Sequence, residues 1–504
     1  MADSPTAVSE LWKNSWDAYA RNVNLRIYDG DLPVAVLTDD GHGMSEEDFL
    51  DKWLVIGTES KAVSPQPTPE ADRLGLAVRP RHGQKGIGRL SSAKLGPLLL
   101  LVTRHRDEPF LAALIDWRLF ENPYLLLDDV IVATGHFANA EDIFDALPTM
   151  AQRLAAKIVV SASRWRDPEA KLRLGWARYD RLLSRSNSEG LPASRRILES
   201  LKRVPFNRAH LSDWAGAGTA MLVSELDDDI AALAVSGETD LACEKAQERF
   251  RETLSSFIDP YGPVRERPPF KYSIHAFSRN EPVPKEFLSD ATGIDRAQVA
   301  EMEHQIEGRV GDDGVFHGRV RAFGRQITDE AVFTPPHNLR ISDRADGRVG
   351  PFEIFISSIE FIRENSSHSD SEHQRYKGLA DKYAGLLIFR DGLRVLPYGR
   401  EDNDFLEIEF RRSLNAGRHF WNHRQMFGRI AVTRNGNPNL RDKAGREGFI
   451  DNTAAKTFKE LVVNILDLSA RRYFGSSSEI RKPRIAEIKQ SRAATRAAAD
   501  RRKL

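Results

Sequence analysis

Glu10-Leu-Trp-Lys-Asn14-Ser-Trp-Asp17-Ala18 is the first of three short motifs that together predict the fold of this chain. Pro5 just upstream is typical of a helix start. On a helix, offsets of four and seven residues place Glu10, Asn14 and Asp17 on one stripe. A carboxylate and an amide one turn apart suit a general base beside a Mg²⁺ ligand, because hard oxygen donors match that ion. Polar helix faces are common, so this motif alone does not decide the function.

The second motif is Asp39-Asp40-Gly41-His42-Gly43-Met44, directly after the strand-like run Val34–Leu37. A carboxylate at the end of a strand can accept a hydrogen bond from an exocyclic amine. The glycines let the backbone approach a flat ring closely. Taken alone, the motif is equally typical of an ordinary Asp-Gly turn.

The third motif is Gly83-Gln-Lys85-Gly86-Ile87-Gly88-Arg-Leu-Ser91, which opens a predicted helix. Glycines followed by a helix N-terminus present backbone N–H groups to phosphate. The motif lacks the Gly-Lys-Ser/Thr ending of a P-loop. It follows a proline-rich segment instead of a strand, which disfavours a dinucleotide fingerprint.

The order of these motifs resembles the N, G1 and G2 boxes of the GHKL ATPase superfamily. Lys52–Lys61, between the second and third motifs, looks like the segment that precedes the ATP lid in that family. Gly218-Thr219, entering a strand-like run, resembles the family's later Gly-Thr box. The resemblance implies an α/β fold (an α+β sandwich): a Bergerat-fold ATPase domain followed by a transducer-like or middle-domain-like α/β domain.

The resemblance also implies roles for individual residues. Glu10 would activate the attacking water, Asn14 would hold Mg²⁺, and Asp17 would belong to the same pocket wall. Asp39 would pair with the adenine amino group, with Thr219 assisting. Lys61 and Lys85 are candidates for phosphate contacts, and a solvated loop charge is an equal alternative for each of them. The other residues that the resemblance places around ATP are Gly41, Gly43, Met44, Gly83, Gly86, Ile87 and Gly88.

A second resemblance covers 428–449, which looks like the middle domain of the ninety-kilodalton heat-shock chaperone. There a strand leads into a loop ending in Arg-Glu, and the arginine reaches the γ-phosphate. Arg446 is therefore the candidate for this role, with Lys443 second, and a structural arginine is the alternative. Such a cation can neutralise charge on the transferring phosphoryl group.

The length of 504 residues predicts two or three domains. We expect an ATPase domain over 1–260, in which 106–215 is an insertion or elaboration, and a transducer-like domain over 270–475. Pro260–Pro269 reads as the linker between them. A tail over 476–504 completes the chain. Between 479 and 504 it has nine Lys/Arg against three Asp/Glu and is expected to be a solvated helix or a disordered arm.

Composition restricts the function classes further. There is no apolar run of about 18 residues, so no membrane span is expected. The single cysteine, Cys243, is expected to be buried and fits a reducing compartment, which favours a cytoplasmic protein. His419 and His423 have zinc-like helical spacing but no third ligand at a recognisable spacing. Ser366–His373 is polar and serine-rich, which predicts an exposed loop.

The expected function is Mg²⁺-dependent ATP binding and hydrolysis that drives lid closure and switching of a homodimer. We expect a bacterial system that acts on nucleic acid or on a partner protein, with anti-phage defence as the favoured setting. No membrane partner is expected. Two alternatives stay open: a chaperone-like ATPase that binds unfolded clients, and a nucleotide sensor with little turnover.

Overall fold

A computed structural model describes most of the chain. The described residues are 3–54, 68–82, 90–158, 169–186, 191–235, 239–279, 283–342, 344, 346–414, 420–443 and 448–503. They form two compact units. The N-terminal unit comprises Asp3–Phe250 and Pro269–Ser289, and the C-terminal unit comprises Arg251–Pro268 and Asp290–Leu504. The sequence interpretation began the second domain at residue 270, whereas 269–289 belong to the N-terminal unit. The boundaries 1–260, 270–475 and 476–504 remain a prediction.

The N-terminal unit is built on an eight-stranded sheet with the order β5-β4-β3-β6-β2-β1-β7-β8. Strands β1 and β7 are parallel, and the other neighbours are antiparallel. The strands are β1 Asn22–Tyr28, β2 Val34–Asp39, β3 Leu98–Arg104, β4 Phe110–Asp116, β5 Ala133–Phe137, β6 Gly218–Ser224, β7 Lys271–Phe277 and β8 Lys285–Ser289.

The centre of this sheet is buried on both faces, which explains its continuous apolar runs. All residues of β2, β4 and β6 are buried, and β3 is buried except at its last residue, which is half-buried. One face packs against the helices of the elaboration around 140–202. The helices that begin in this unit are α1 Ser4–Asp17, α2 Ser91–Leu95, α3 Ala140–Ala155, α4 Ala170–Ser186, α5 Ala193–Lys202, α6 Asp228–Ala231 and α7 Leu241–Leu254.

Helix α1 begins where the sequence predicted. Asp3 is its N-cap, and the Asp3 side chain accepts a hydrogen bond from the backbone N–H of Thr6 at 3.1 Å. Pro5 lies in the first turn, where its missing N–H costs nothing. The buried guanidinium of Arg79 donates to the carbonyls of Trp16 and Ala20 at the other end of the helix. Both ends of α1 are therefore fixed.

The C-terminal unit contains a seven-stranded sheet with the order β11-β10-β9-β12-β15-β13-β14. Only β13 and β15 are parallel among its named neighbours. The strands are β9 His304–Val310, β10 Phe316–Ala322, β11 Arg325–Phe333, β12 Phe352–Ser358, β13 Gly385–Arg390, β14 Leu393–Arg394 and β15 Met426–Val432. The helices are α8 Arg296–Val299, α9 Asp370–Tyr383, α10 Ile408–Leu414, α11 Thr453–Ser469 and α12 Arg481–Lys503. The core includes Phe458 and Leu461 of α11 packed with the sheet.

Two sequence predictions about solvent exposure need correction. Ser366–His373 is not an exposed loop, because Ser366 is fully buried and donates to the buried carboxylate of Glu303 at 2.9 Å. Ser369 caps α9 at Asp370. Cys243, on α7, is half-buried instead of buried.

The mixed α/β fold class that the sequence predicted, with two separate sheets, is confirmed. Across the described residues, none of the helices has the length and apolar character that crossing a bilayer requires.

Candidate functional site

The N-terminal motif lies on α1, as its spacing predicted. Glu10 is 4% exposed, and its Oε1 accepts a hydrogen bond from Lys13 Nζ at 2.9 Å. Asn14 and Asp17 are half-buried on the following turns. The sequence did not single out Lys13, although a lysine three residues after a glutamate is a common helical ion pair. The structure therefore adds one cation, Lys13, beside Glu10, the proposed base.

Asp39 is the last residue of β2 and is almost fully buried. Its Oδ1 accepts hydrogen bonds from the backbone N–H groups of Gly41 at 2.9 Å and Thr219 at 3.3 Å. Burial raises the pKa of Asp39 from 3.8 to about 6, and the hydrogen bonds to its carboxylate oppose that rise. The second motif and the later Gly-Thr box therefore meet at the carboxylate of Asp39.

Ser15 connects α1 to this carboxylate. Its hydroxyl donates to Asp39 Oδ2 at 2.9 Å and lies 3.3 Å from the carbonyl of Leu11. The hydroxyl has one proton, and the shorter contact is to the carboxylate. Ser15 carries no functional signal in the sequence, because a serine between apolar positions of a helix is ordinary. The structure shows that it joins the first motif to the second.

The glycines of the second motif are required by space. Gly43 has φ +69°, and a Cβ there would lie 2.0 Å from the carbonyl oxygen of Arg104. At Gly41 a Cβ would lie 2.7 Å from the carbonyl oxygen of Ala18. Met44 follows half-buried, and its N–H donates to Thr103 Oγ1 at 2.9 Å. The loop is therefore held against α1 and β3.

Thr103 was missed by sequence reasoning. It is fully buried on β3, directly across from Thr219 on β6. Its hydroxyl donates to the carbonyl of Gly218 at 3.1 Å and lies 3.0 Å from Thr219 Oγ1. Threonine in a strand carries no functional signal by itself. Only the pairing of β3 with β6 reveals that it touches the Gly-Thr box.

The segment that precedes the third motif is bound to the last turn of α1. The backbone N–H of His82 donates to Asp17 Oδ1 at 2.8 Å, and the indole of Trp16 donates to the carbonyl of Pro80 at 3.4 Å. Arg79 lies 4.4 Å from the centre of the Trp16 ring. Asp17 therefore connects α1 to the residue just before Gly83. Its expected place in a pocket wall stays a prediction.

Several predicted site residues cannot be placed. Of Lys52–Lys61 the structure describes only the first three positions. Lys443 is exposed in the C-terminal unit, and its backbone N–H donates to the carbonyl of Gly448 at 2.9 Å, so its phosphate role stays a prediction. The predicted residues that lie outside the described ones are Lys61, Gly83, Lys85, Gly86, Ile87, Gly88 and Arg446.

Mg²⁺ would find suitable donors on α1. The carboxamide of Asn14 makes no hydrogen bond to another described residue, and its oxygen is the hard donor type that Mg²⁺ prefers. Mg²⁺ commonly takes only one or two protein ligands and completes its shell with water and phosphate. Among the described residues there is no cluster of three or more His, Cys, Asp or Glu side chains arranged for a metal. A single amide fits Mg²⁺ bound mainly through a triphosphate.

Comparison with known proteins agrees with this reading of the N-terminal region. Residues 2–125 match the family described as histidine kinase-, DNA gyrase B-, and HSP90-like ATPase. No curated protein is a significant match to the chain. A solved structure titled "Crystal Structure of N terminal domain of a DNA repair protein" aligns with 93% of this chain and 96% of its own, at 12% identity and a TM-score of 0.40. The family match supports the GHKL superfamily, and with it ATP binding and hydrolysis, for this region.

Proposed function

We propose that the N-terminal unit binds ATP with Mg²⁺ and hydrolyses it. The observation that carries the proposal is the buried carboxylate of Asp39, bonded by Gly41, Thr219 and Ser15 at the end of a central strand. A buried carboxylate is expensive unless it is satisfied, and a charged acceptor at a strand end is suited to an amino group of a base. The family match over 2–125 covers the residues of both motifs around it.

In this proposal α1 provides the hydrolytic groups. Glu10 is the general base for the attacking water, and Asn14 orients Mg²⁺ on the phosphates. Mg²⁺ would supply charge neutralisation at the phosphoryl group. Burial of Glu10 beside Lys13 holds its carboxylate in one orientation, which general-base catalysis requires.

The experiment compares Glu10→Gln with Glu47→Gln, an exposed carboxylate outside the motifs. Glu10→Gln keeps the shape of the side chain but removes the base. We expect turnover to fall by about 10²–10⁴-fold, the usual contribution of a general base, while the Kd for ATP changes little. Glu47→Gln should match the unmodified protein. Full turnover in Glu10→Gln would reject Glu10 as the base, and negligible turnover in the unmodified protein would favour a nucleotide sensor.

Lid closure, a homodimer and a nucleic-acid partner in a defence system belong to the same proposal. The tail gives limited support for nucleic-acid binding. Lys482 and Lys489 of α12 are exposed, as such binding requires. Arg481 and Arg492, however, bond to the side chain of Glu360 and to the carbonyls of Ser366 and His368, so part of the tail's charge is used within the C-terminal unit. The expected tail was a solvated helix or a disordered arm, and within it α12 is a helix with exposed as well as bonded basic residues.

A further inference from the structure

The hydroxyl of Thr103 has three partners, and their chemistry fixes its proton. The carbonyl of Gly218 can only accept, and the N–H of Met44 can only donate. Thr219 Oγ1, at 3.0 Å, can do either. A hydroxyl has one proton and two lone pairs. One assignment satisfies every partner: Thr103 donates to Gly218, accepts from Met44 and accepts from Thr219.

The hydroxyl proton of Thr219 is therefore committed to Thr103. What remains on Thr219 Oγ1 is its pair of acceptor sites. Asp39, next to it, is also an acceptor: three of its lone-pair sites take the N–H groups of Gly41 and Thr219 and the hydroxyl of Ser15. The two side chains that meet here offer acceptors to a ligand and no donor.

We propose that Thr103 is a specificity-determining positioning residue: by holding the proton of Thr219, it makes the base-recognition edge acceptor-only. This inference rests on the proposed nucleotide site. An acceptor-only edge binds a base that presents an amino group and rejects one that presents a carbonyl oxygen at the same position. Rejection is strong at such sites, because a mismatched carbonyl leaves two buried acceptors facing each other.

The direct test compares ATP with inosine triphosphate, in which a carbonyl oxygen replaces the amino group. Thr103→Val keeps the side-chain shape and removes the hydroxyl. The proton of Thr219 is then released and can turn toward the carbonyl oxygen. We expect the ratio of Kd for inosine triphosphate to Kd for ATP to fall by about three- to tenfold, the range that one neutral hydrogen bond provides. Thr103→Ser retains the hydroxyl and should keep the original ratio.

A second pair of variants separates this effect from a general loosening of the site. In a Thr219→Val background there is no hydroxyl to release, so adding Thr103→Val should leave the ratio unchanged. A merely structural role for Thr103 would change the ratio equally in both backgrounds, and that result would overturn the inference. Thermal unfolding of each variant checks that it is folded. If Thr103→Val does not fold, Thr103→Cys, with its weakly bonding thiol, should shift the ratio in the same direction.

Failure of this inference differs from failure of the proposed function. If the unmodified protein binds neither nucleotide, the nucleotide site itself is rejected. If ATP binds with Mg²⁺ and the ratio is the same in Thr103→Val and Thr103→Ser, only the role of Thr103 is rejected.

Discussion

Ser15→Ala should move the pH dependence of nucleotide binding. The substitution removes the Ser15 hydroxyl, which donates to Asp39 Oδ2 at 2.9 Å, and leaves the two backbone donors to Oδ1 in place. Burial already raises the pKa of Asp39 to about 6, and Ser15 is among the groups that hold it down. Without that hydroxyl the ionised carboxylate is less well stabilised, so its pKa must rise further.

The size of the shift follows from the bond that is lost. A hydrogen bond to a charged group contributes about 1.5–3 kcal/mol, and one pKa unit corresponds to about 1.4 kcal/mol. The pKa of Asp39 should therefore rise by about one to two units. An amino group of the base needs the ionised acceptor, so binding is strongest above the pKa and weakens as the pH falls through it. In Ser15→Ala this weakening begins at a correspondingly higher pH.

The assay is the Kd for ATP with Mg²⁺ between pH 5 and pH 9. The nucleotide's own phosphates titrate in the same range, but they do so identically for every protein variant and cancel in the ratio of Kd values. Ser9→Ala is the matched control, because Ser9 is buried on the same helix and does not bond to Asp39. Its profile should overlay that of the unmodified protein.

The pH dependence of the free energy of unfolding provides an independent test. The folded-state pKa of Asp39 lies above its unfolded value of 3.8, so the stability linked to its protonation is fully present below that value and is lost as the pH rises through about 6. In Ser15→Ala the folded-state pKa of Asp39 is higher, so this loss of stability continues to a higher pH. The free energy of unfolding of Ser15→Ala should therefore fall below that of Ser9→Ala mainly above pH 6. Identical midpoints of binding and an unfolding difference independent of pH would refute the coupling between Ser15 and Asp39.

Two further predictions concern packing and charge. Gly43→Ala should lower the free energy of unfolding by about 1–3 kcal/mol more than Gly75→Ala: both have positive φ, but only at Gly43 would a Cβ meet the backbone. Denaturant unfolding measures both, and equal losses would contradict the close contact with Arg104. In the C-terminal unit, Arg429 pairs with the buried Asp259 and with Glu353, whose side chain is 55% exposed. Asp259→Asn should destabilise by about 3–5 kcal/mol and Glu353→Gln by less than about 1 kcal/mol in the same assay; the reverse order would contradict the role of burial.

The parts of the site that the sequence predicted are those whose residue types signal their own structure. Pro5 marks the start of α1, and the structure begins the helix at Ser4. Gly43, in the motif that follows β2, is visible for the same reason, because few residues other than glycine suit a positive φ. Local chemistry was sufficient for these elements.

The missed residues have roles that depend on contacts distant in sequence. Ser15 reaches Asp39 across 24 positions, and Thr103 reaches Thr219 across 116. Arg79 is buried against Trp16 and Phe270, with its guanidinium bonded to carbonyl oxygens. Burial lowers its pKa to about 10. An arginine in a proline-rich stretch predicts a solvated charge, and only the packing of three separate segments makes it a helix-capping group.

In the proposed site, helix α1 is the element that would couple base recognition to hydrolysis. Its first turn is bonded through Ser4 to Asp227 at 2.8 Å, its centre through Ser15 to Asp39, and its last turn to Arg79 and His82. The proposed hydrolytic groups lie on this same rigid body, and an α-helix cannot move its middle without moving the turns on either side. A change that displaces the carboxylate of Asp39 must therefore also displace Glu10, the proposed base. Loss of base contacts is expected to lower turnover as well as affinity, because both depend on where one helix sits.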